Sequence, residues 1–467
     1  MSSKQSHLRG PNGFSTARRS KESCTIVENR PYVPSLFVNL QDEATVVNAA
    51  RVILSNYNEN CGGIQTNNGN FDAKVSIMSG GLTNALFLVE IDPETTVLVR
   101  IFGAEGMIDR DVETANFARL CHAKNSVVHG DLDYLGRFGN GRVETLISNM
   151  RAATICDLRK NEYLALEVTR QMARLHHQFD IPEYLLEGDA SHEGGIMNRC
   201  KPVIWDVLSS WKDELVSSIT QACSTDERLV DIFILALFGD TLHLNSIISE
   251  SDNDSKKDES RISLATSQIE QQLTNEIHWI QAYISNQHPD APLAFCHNDI
   301  NAANILYSVN TNCHDKDSVA LIDYEYGAIN YTMYDLANFI CEHCGGNDNG
   351  IPDYNSIPSL ELQRKFVKEY LSERDRVLLN TATTPDEQEE SVTRYLNQVQ
   401  TFQLLSHLYW GYWGILQGVN ELPGDTYDIE NIKLKLRGEV EQDTWDNLRY
   451  GKNRLARYRE QKKSMAE

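Results

Sequence analysis

His297-Asn298-Asp299-Ile300-Asn301-Ala302-Ala303-Asn304 is followed, 19 residues after Asn304, by Asp323 at the end of the short apolar run Val319-Ala320-Leu321-Ile322. An Asp, an Asn five residues on and a second Asp at the end of a strand are what phosphoryl transfer requires: one carboxylate to orient a hydroxyl and two oxygen donors for magnesium. Asp and Asn in loops more often cap turns. The flanks decide between the two readings. Ala291 to Cys296 is apolar before the motif and Ile305-Leu306-Tyr307 follows it, so the polar residues sit at strand ends. Because side chains alternate along an extended chain, Asp323 and Glu325 point to one side. The pattern predicts a phosphate donor of the ATP type.

The region before the motif reads as strands around a nucleotide. Lys74 to Met78, Ala85 to Ile91, Thr96 to Ile101 and Gly141 to Ile147 are strand candidates. Ser79-Gly80-Gly81-Leu82-Thr83-Asn84 forms a tight loop whose glycines would let backbone N–H groups approach phosphate oxygens. Alone, such a loop more often reads as a plain hairpin. Helices are expected at Leu40 to Tyr57, from Asp109 to about Ala123, at Leu164 to Gln178, at Ile262 to Ile284 and at Ser391 to Val419. Ser249 to Ser263 is almost wholly polar and is expected to be a disordered surface loop. Residues 1–40 are expected to form a disordered leader, since Gly10, Pro11 and Gly13 interrupt any amphipathic helix.

Composition narrows the function classes. At 467 residues, 41 % apolar and 23 % charged, the chain is long enough for two lobes around a cleft. No apolar run reaches the roughly 18 residues of a membrane span. A formal charge of −23 disfavours a nucleic-acid partner, because phosphate backbones demand a basic footprint. The ten cysteines are scattered, which with no secretory signal suggests reduced thiols and a cytoplasmic protein. Cys341-x-x-Cys344 has no second CxxC to complete a zinc site. His176 and His177 read as a structural pair at a helix end.

His297-Asn298-Asp299, Asn304-Ile305-Leu306, Ile322 to Tyr326, Asn330-Tyr331, Asp335 and Asn338 to Glu342 together resemble the choline and ethanolamine kinases, a branch of the kinase-like fold. The likeness runs from about Ser79 to about Lys462, broken by one insertion. It implies an α+β, bilobal protein-kinase-like fold, with a small β-rich ATP-binding lobe at 41–148 and a larger, mainly helical lobe at 149–467. ATP and Mg2+ would be the cofactors and a small amino alcohol the partner, with a homodimer left open. Asp299 would be the catalytic base, Asn304 and Asp323 metal ligands, and Glu325 a ligand to a second ion. Gly80, Gly81, Thr83, Asn84 and Arg100 would hold the triphosphate, with Glu113 bracing Arg100.

The amine would lie among Tyr326, Glu342, Trp410, Trp413, Trp445 and Tyr450, where rings over an ammonium contribute about 0.5–2 kcal/mol from cation–π attraction. An aromatic stripe is more often core. Gly411 and Gly414 favour a site, since each weakens a helix by about 1 kcal/mol unless something must come close. The run His343 to Gly350, where choline kinases tend to place aromatic residues, looks more like the ethanolamine kinases. The resemblance therefore implies formation of phosphoethanolamine, a first step towards phosphatidylethanolamine. The alternatives are a choline kinase, an aminoglycoside-type phosphotransferase and an inactive kinase-like binding protein.

Overall fold

Alternation along the strands sorts the first part of the chain onto two faces of a sheet. The computed structural model describes residues 30–61, 64, 72–78, 84–103, 108–123, 128–186, 199–239, 254–308, 318–346, 348–379, 384–422, 428–440 and 444–466. Contacts divide the chain into two compact units. One comprises Met1–Cys200, Ala294–Ile329 and Glu369–Thr381; the other comprises Lys201–Leu293, Asn330–Lys368 and Ala382–Glu467. A cut at residue 148 is not where these units separate, because the segment bearing Asp299 and Asp323 is compact with the N-terminal sheet.

The first unit is built on a six-stranded sheet of order β1-β5-β6-β4-β3-β2: β1 (Tyr32–Val33), β2 (Lys74–Met78), β3 (Asn84–Asp92), β4 (Thr95–Phe102), β5 (Tyr134–Phe138) and β6 (Gly141–Thr145). Val97, Val99 and Ile101 of β4 and Val143 of β6 pack with Val46, Ala49, Ile53 and Leu54 of α1 (Glu43–Asn60) in one core cluster. The residues between them, Arg100, Arg142 and Glu144, must therefore occupy the other face. There α2 (Arg110–His122) contributes Glu113 and, one turn later, Phe117, whose ring lies under the Arg142 guanidinium at 4.4 Å. Asp109 caps α2 by accepting from the Asp111 and Val112 N–H groups.

After β7 (Met150–Ala152) come α3 (Ile155–Lys160) and α4 (Glu162–Gln178). A three-stranded sheet, β10-β9-β7, carries the central motif, with β8 (Leu293–Cys296) before it, β9 (Ile305–Ser308) after it and β10 (Val319–Leu321) leading to Asp323. His176 and His177 both bond the Tyr370 hydroxyl, at 2.9 and 3.0 Å, in keeping with a structural pair. The second unit is helical: α5 (Ile204–Thr225), α6 (Leu229–Phe238), α7 (Asp254–Gln287), α8 (Thr332–Glu342), α10 (Pro385–Asn420), α11 (Ile429–Arg437) and α12 (Asn447–Ala466). The division falls within α9 (Leu360–Val377). Among the described residues no helix is long and apolar enough to cross a membrane.

Three features of the elements differ from the sequence reading. The polar stretch expected to be disordered to Ser263 is helical from Asp254, as the first turns of α7. Ala265, Ile269 and Leu273 are buried, and extending a helix already held by packing adds a hydrogen bond per residue. Arg261 ties this end to Asp231 of α6 at 2.7 Å. Residues 30–40 of the expected leader are ordered: Tyr32 pairs with Arg137 in parallel register, and Arg30 bonds Asp133 at 2.9 Å. The rest of both segments, 1–29 and 249–253, lies outside the described residues.

The third difference concerns the glycines of α10. A Cβ on Gly411 would lie 2.6 Å from the Leu455 side chain, and one on Gly414 would lie 2.8 Å from the Gly451 nitrogen. What comes close is α12, and the glycines are explained by helix packing. Gly414→Ala should therefore lower stability by about 1–3 kcal/mol in urea unfolding, the usual effect of overpacking. A gain of about 1 kcal/mol, as at an open helical position, would contradict this.

Candidate active site

The motif at 297–304 is folded by its own side chains. Asn301 accepts from the Ala303 N–H at 2.9 Å and the Asn304 N–H at 3.3 Å, which turns the chain into a short 3-10 helix before β9. Its amide then donates to Asp299 Oδ1 at 3.1 Å, while the Asn304 amide donates to Asp299 Oδ2 at 3.0 Å. Both carboxylate oxygens are thus oriented by neutral donors. With its nitrogen bonded to Asp299, Asn304 has Oδ1 as the atom a hard cation would take.

Buried His297 joins this loop to the next. It accepts the Asp299 N–H at Nδ1 (3.3 Å) while Nε2 lies 2.8 Å from the Ile322 carbonyl, an arrangement that one neutral tautomer satisfies at both nitrogens. The Asn298 amide donates to the Tyr326 carbonyl at 2.9 Å, and the Ile322 N–H donates to the Asn304 carbonyl at 3.0 Å. Asn298 and Asp323 both have positive φ, 67° and 64°, a conformation that Asn and Asp tolerate better than most residues. Three bonds therefore hold the loop of Asp299 and Asn304 against the loop of Asp323.

Asp323 is paired with Arg100, Nη1 to Oδ1, at 2.9 Å. The carboxylate bracing Arg100 from behind is Glu144, at 3.0 Å from Nε, and not Glu113 as expected. Glu113 bonds Arg142 at 2.6 Å and Arg110 at 2.7 Å, and Arg142 in turn bonds Glu144 at 2.5 Å. The reason is register: Arg100 and Arg142 are direct partners across β4 and β6, so Arg142 stands between Arg100 and the helix that carries Glu113. Arg110 continues to Glu325 at 3.3 Å, and Asn84 donates to Glu325 at 3.0 Å. Gly80, Gly81 and Thr83 lie outside the described residues.

Charge in this network is held by partners and opposed by burial. Burial works against the Arg100 cation, yet Asp323 and Glu144 outweigh it and push its pKa up. Burial likewise disfavours the Glu113 and Glu144 carboxylates, but Arg142 with Arg110 or Arg100 holds both below the usual carboxylate range.

The second unit carries Glu342, Trp410, Trp413, Trp445 and Tyr450. Trp410 meets Trp413 edge to face at 5.7 Å, Trp413 meets Tyr450 at 6.3 Å, and Tyr450 meets Trp445 at 4.9 Å. Trp410 is pinned by its indole N–H on Asn338 Oδ1 at 2.7 Å, which also accepts from Ser406 at 2.8 Å. Glu342 is buried and bonded through Oε1 to Arg454 at 3.1 Å. Tyr409 and Tyr412 belong to the core, packing on Trp211 at 4.5 Å and bonding the Leu273 carbonyl at 3.0 Å.

Residues 75–459 match the family model described as Choline/ethanolamine kinase. The chain belongs to the choline/ethanolamine kinase family. It is a kinase that takes a small-molecule acceptor. Among its relatives is "Probable choline kinase 3" of Arabidopsis thaliana, 29 % identical over 374 residues, 78 % of this chain and 85 % of that one. Another is "Ethanolamine kinase 2" of Mus musculus, 26 % identical over 342 residues, 72 % of this chain and 68 % of that one. Two solved structures share its α+β, protein-kinase-like fold at TM-score 0.57 and 20 % identity: a choline kinase from Cryptosporidium parvum Iowa II, covering 91 % of this chain and 96 % of its own, and a Plasmodium vivax ethanolamine kinase, covering 92 % and 96 %.

Sequence reasoning about this choline/ethanolamine kinase missed Asn301, Arg110, Arg142, Glu144 and Arg454. Gly141-Arg142-Val143-Glu144 offered a signal, since two charges alternating with apolar positions in a strand call for partners on that face. Arg142→Met should cost about 3–5 kcal/mol in urea unfolding, because Glu113 and Glu144 lose their shared cation inside the protein. The wild type should also lose stability as pH falls below about 4.5. There the unfolded chain takes up protons that depressed Glu113 and Glu144 still refuse, so their contribution is complete above that pH and fades through their lower folded values. Equal acid profiles for wild type and Arg142→Met would contradict the assignment.

Proposed function

We propose that the chain transfers the γ-phosphoryl group of ATP to the hydroxyl of ethanolamine, giving phosphoethanolamine for phosphatidylethanolamine synthesis. The observation that carries the reading is Asp299, with both oxygens oriented by Asn301 and Asn304, on a loop bonded to that of Asp323. Asp299 orients the acceptor hydroxyl and takes its proton as the oxygen–phosphorus bond forms and the bond to ADP breaks. Residues 41–148 serve as the ATP-binding lobe, with Gly80, Gly81, Thr83, Asn84 and Arg100 along the triphosphate and Glu113 acting on Arg100 through Arg142.

Asn304 Oδ1 and Asp323 form a hard-oxygen donor set that suits Mg2+, with Glu325 next to it in the chain. Bound there, Mg2+ would neutralise charge on the phosphate oxygens. Arg100 remains held by Glu144 through Nε when its Nη1 end turns to phosphate.

Glu342, Trp410, Trp413, Trp445 and Tyr450 form the amine subsite in this reading. Among the described residues the bond that holds Glu342 is made at Oε1, and a primary ammonium can donate to Oε2 where a trimethylammonium cannot. That difference supports ethanolamine over choline, the acceptor named for several of the relatives.

Asp299→Ala should lower kcat by at least about a hundredfold, the range of general-base removal, while ATP still binds. Asp323→Ala should abolish magnesium-dependent nucleotide binding in titration calorimetry. ADP release with ethanolamine, choline and no acceptor gives the substrate: a higher kcat/KM for ethanolamine is expected, and a tenfold preference for choline would overturn that part of the reading.

A further inference from the structure

Glu342 occupies a position that by itself should not keep a carboxylate ionised. It is the last residue of α8, where the helix dipole disfavours negative charge, and it is buried. Burial pushes its pKa up, and the Arg454 guanidinium opposes that rise. Arg454 approaches from α12, with its side chain 2 % exposed. One terminal nitrogen, Nη1, donates to Glu342 Oε1 at 3.1 Å. The other, Nη2, donates to Ser406 Oγ at 2.9 Å and to the Ser406 carbonyl at 3.3 Å. The guanidinium also lies 5.6 Å from the centre of the Tyr450 ring.

These contacts join the separate parts of the aromatic and acidic cluster. Ser406 donates to Asn338 Oδ1, and the same oxygen receives the Trp410 indole N–H. An unbroken path of polar contacts thus runs from the Trp410 ring, through Asn338, Ser406 and Arg454, to the Glu342 carboxylate. Tyr450 is attached to the path through its ring and to Trp413 and Trp445 through ring contacts. Each end is locked by a different nitrogen of one planar fork, a task that a lysine ammonium on its flexible stem does not reproduce.

We propose that Arg454 is the positioning residue of the amine subsite: it spends one fork arm on Glu342 Oε1 and the other on Ser406, leaving Glu342 Oε2 as the oxygen that receives the substrate ammonium. The inference rests on the amine-subsite reading above and deepens it. Arg454 does not touch the reacting atoms. Its effect is exerted through Glu342, so its loss should appear in the KM of the amine and in the pH at which that amine binds, with ATP binding intact. The groups near the pair on the elements packed around it are Cys341 of α8, His407 of α10, Tyr354, and Tyr450 and Arg457 of α12. Burial pushes Cys341 up to about 12 and holds His407 well below its ordinary value, with Arg454 and Arg457 adding to the depression. Burial likewise raises Tyr354. None of these three changes charge between pH 6 and 8.

The test compares wild type, Arg454→Met, Arg454→Lys and Glu342→Gln in full-length protein, with KM for ethanolamine, choline and ATP measured from pH 6 to 8.5 and folding checked by thermal unfolding. The Met variant should raise the ethanolamine KM at least about tenfold at pH 7, with the KM for ATP within about twofold of wild type. Its acidic limb for amine binding should move to higher pH by one unit or more, so that part of the loss is recovered at pH 8.5. The Lys variant should keep the acidic limb of wild type yet still raise the amine KM several-fold, since it holds Glu342 or Ser406 but not both. If the Met variant does not stay folded, that Lys result decides. A folded Met variant, or in its absence a Lys variant, with unchanged amine KM and pH profile would show Arg454 to be merely structural and overturn the proposal. Glu342→Gln separates this from failure of the subsite itself: if it leaves amine KM unchanged, the subsite reading falls and the proposal with it. A wild type that prefers choline overturns only the ethanolamine assignment, and the same comparisons then read Arg454 on choline.

Discussion

A circuit of ion pairs, most of them buried, governs the first unit. Asp323 pairs with Arg100, Arg100 with Glu144, Glu144 with Arg142, Arg142 with Glu113, Glu113 with Arg110 and Arg110 with Glu325, which lies two residues from the start. Arg100, Arg142, Glu113 and Glu144 are buried, and neighbours of opposite sign stabilise each of them there, because an ion removed from water without a partner loses several kcal/mol of solvation. The circuit also connects three parts of the chain that are far apart in sequence: strands β4 and β6, the first turn of α2, and the loop after β10.

The circuit explains why the sheet has the alternation it has. The apolar residues of β4 and β6 satisfy α1 on one face, which leaves every second position for charge on the other. Four carboxylates face three guanidiniums along these contacts, and an excess of negative charge suits the divalent cation of the proposed reaction. Asp323, held at a positive φ and bonded to Arg100, is the member through which the circuit meets the loop of Asp299. Positioning and charge thus come from one set of contacts.

The second unit uses the same principle on a smaller scale. Arg454, Glu342, Ser406 and Asn338 bond one another inside a layer of aromatic rings, where Gly411 and Gly414 of α10 admit α12 closely enough for Arg454 to arrive. A glycine that seemed to make room for a ligand makes room for a helix. Packing of backbone against backbone is what sets the depth of the arginine, and with it the state of the glutamate.

The sequence by itself determined the motif residues Asp299, Asn304 and Asp323, the phosphoryl-transfer chemistry they suit, the family, and the strands and helices whose periodicity is strong, such as Lys74–Met78 and the long helix through Trp410. These are local matters, legible because side-chain alternation and turn chemistry act over a few residues. Partnership was not legible. That Glu144 and not Glu113 braces Arg100 depends on strand register, and that Glu342 is matched by Arg454 depends on α10 and α12 meeting at Gly411 and Gly414, which touch Leu455 and Gly451 far along the chain. A polar run such as 254–263 likewise became helix because a packed segment beyond it supplied the nucleus. Buried charges are satisfied only when the chain has closed on itself, so only the tertiary structure could decide which cation answers which acid.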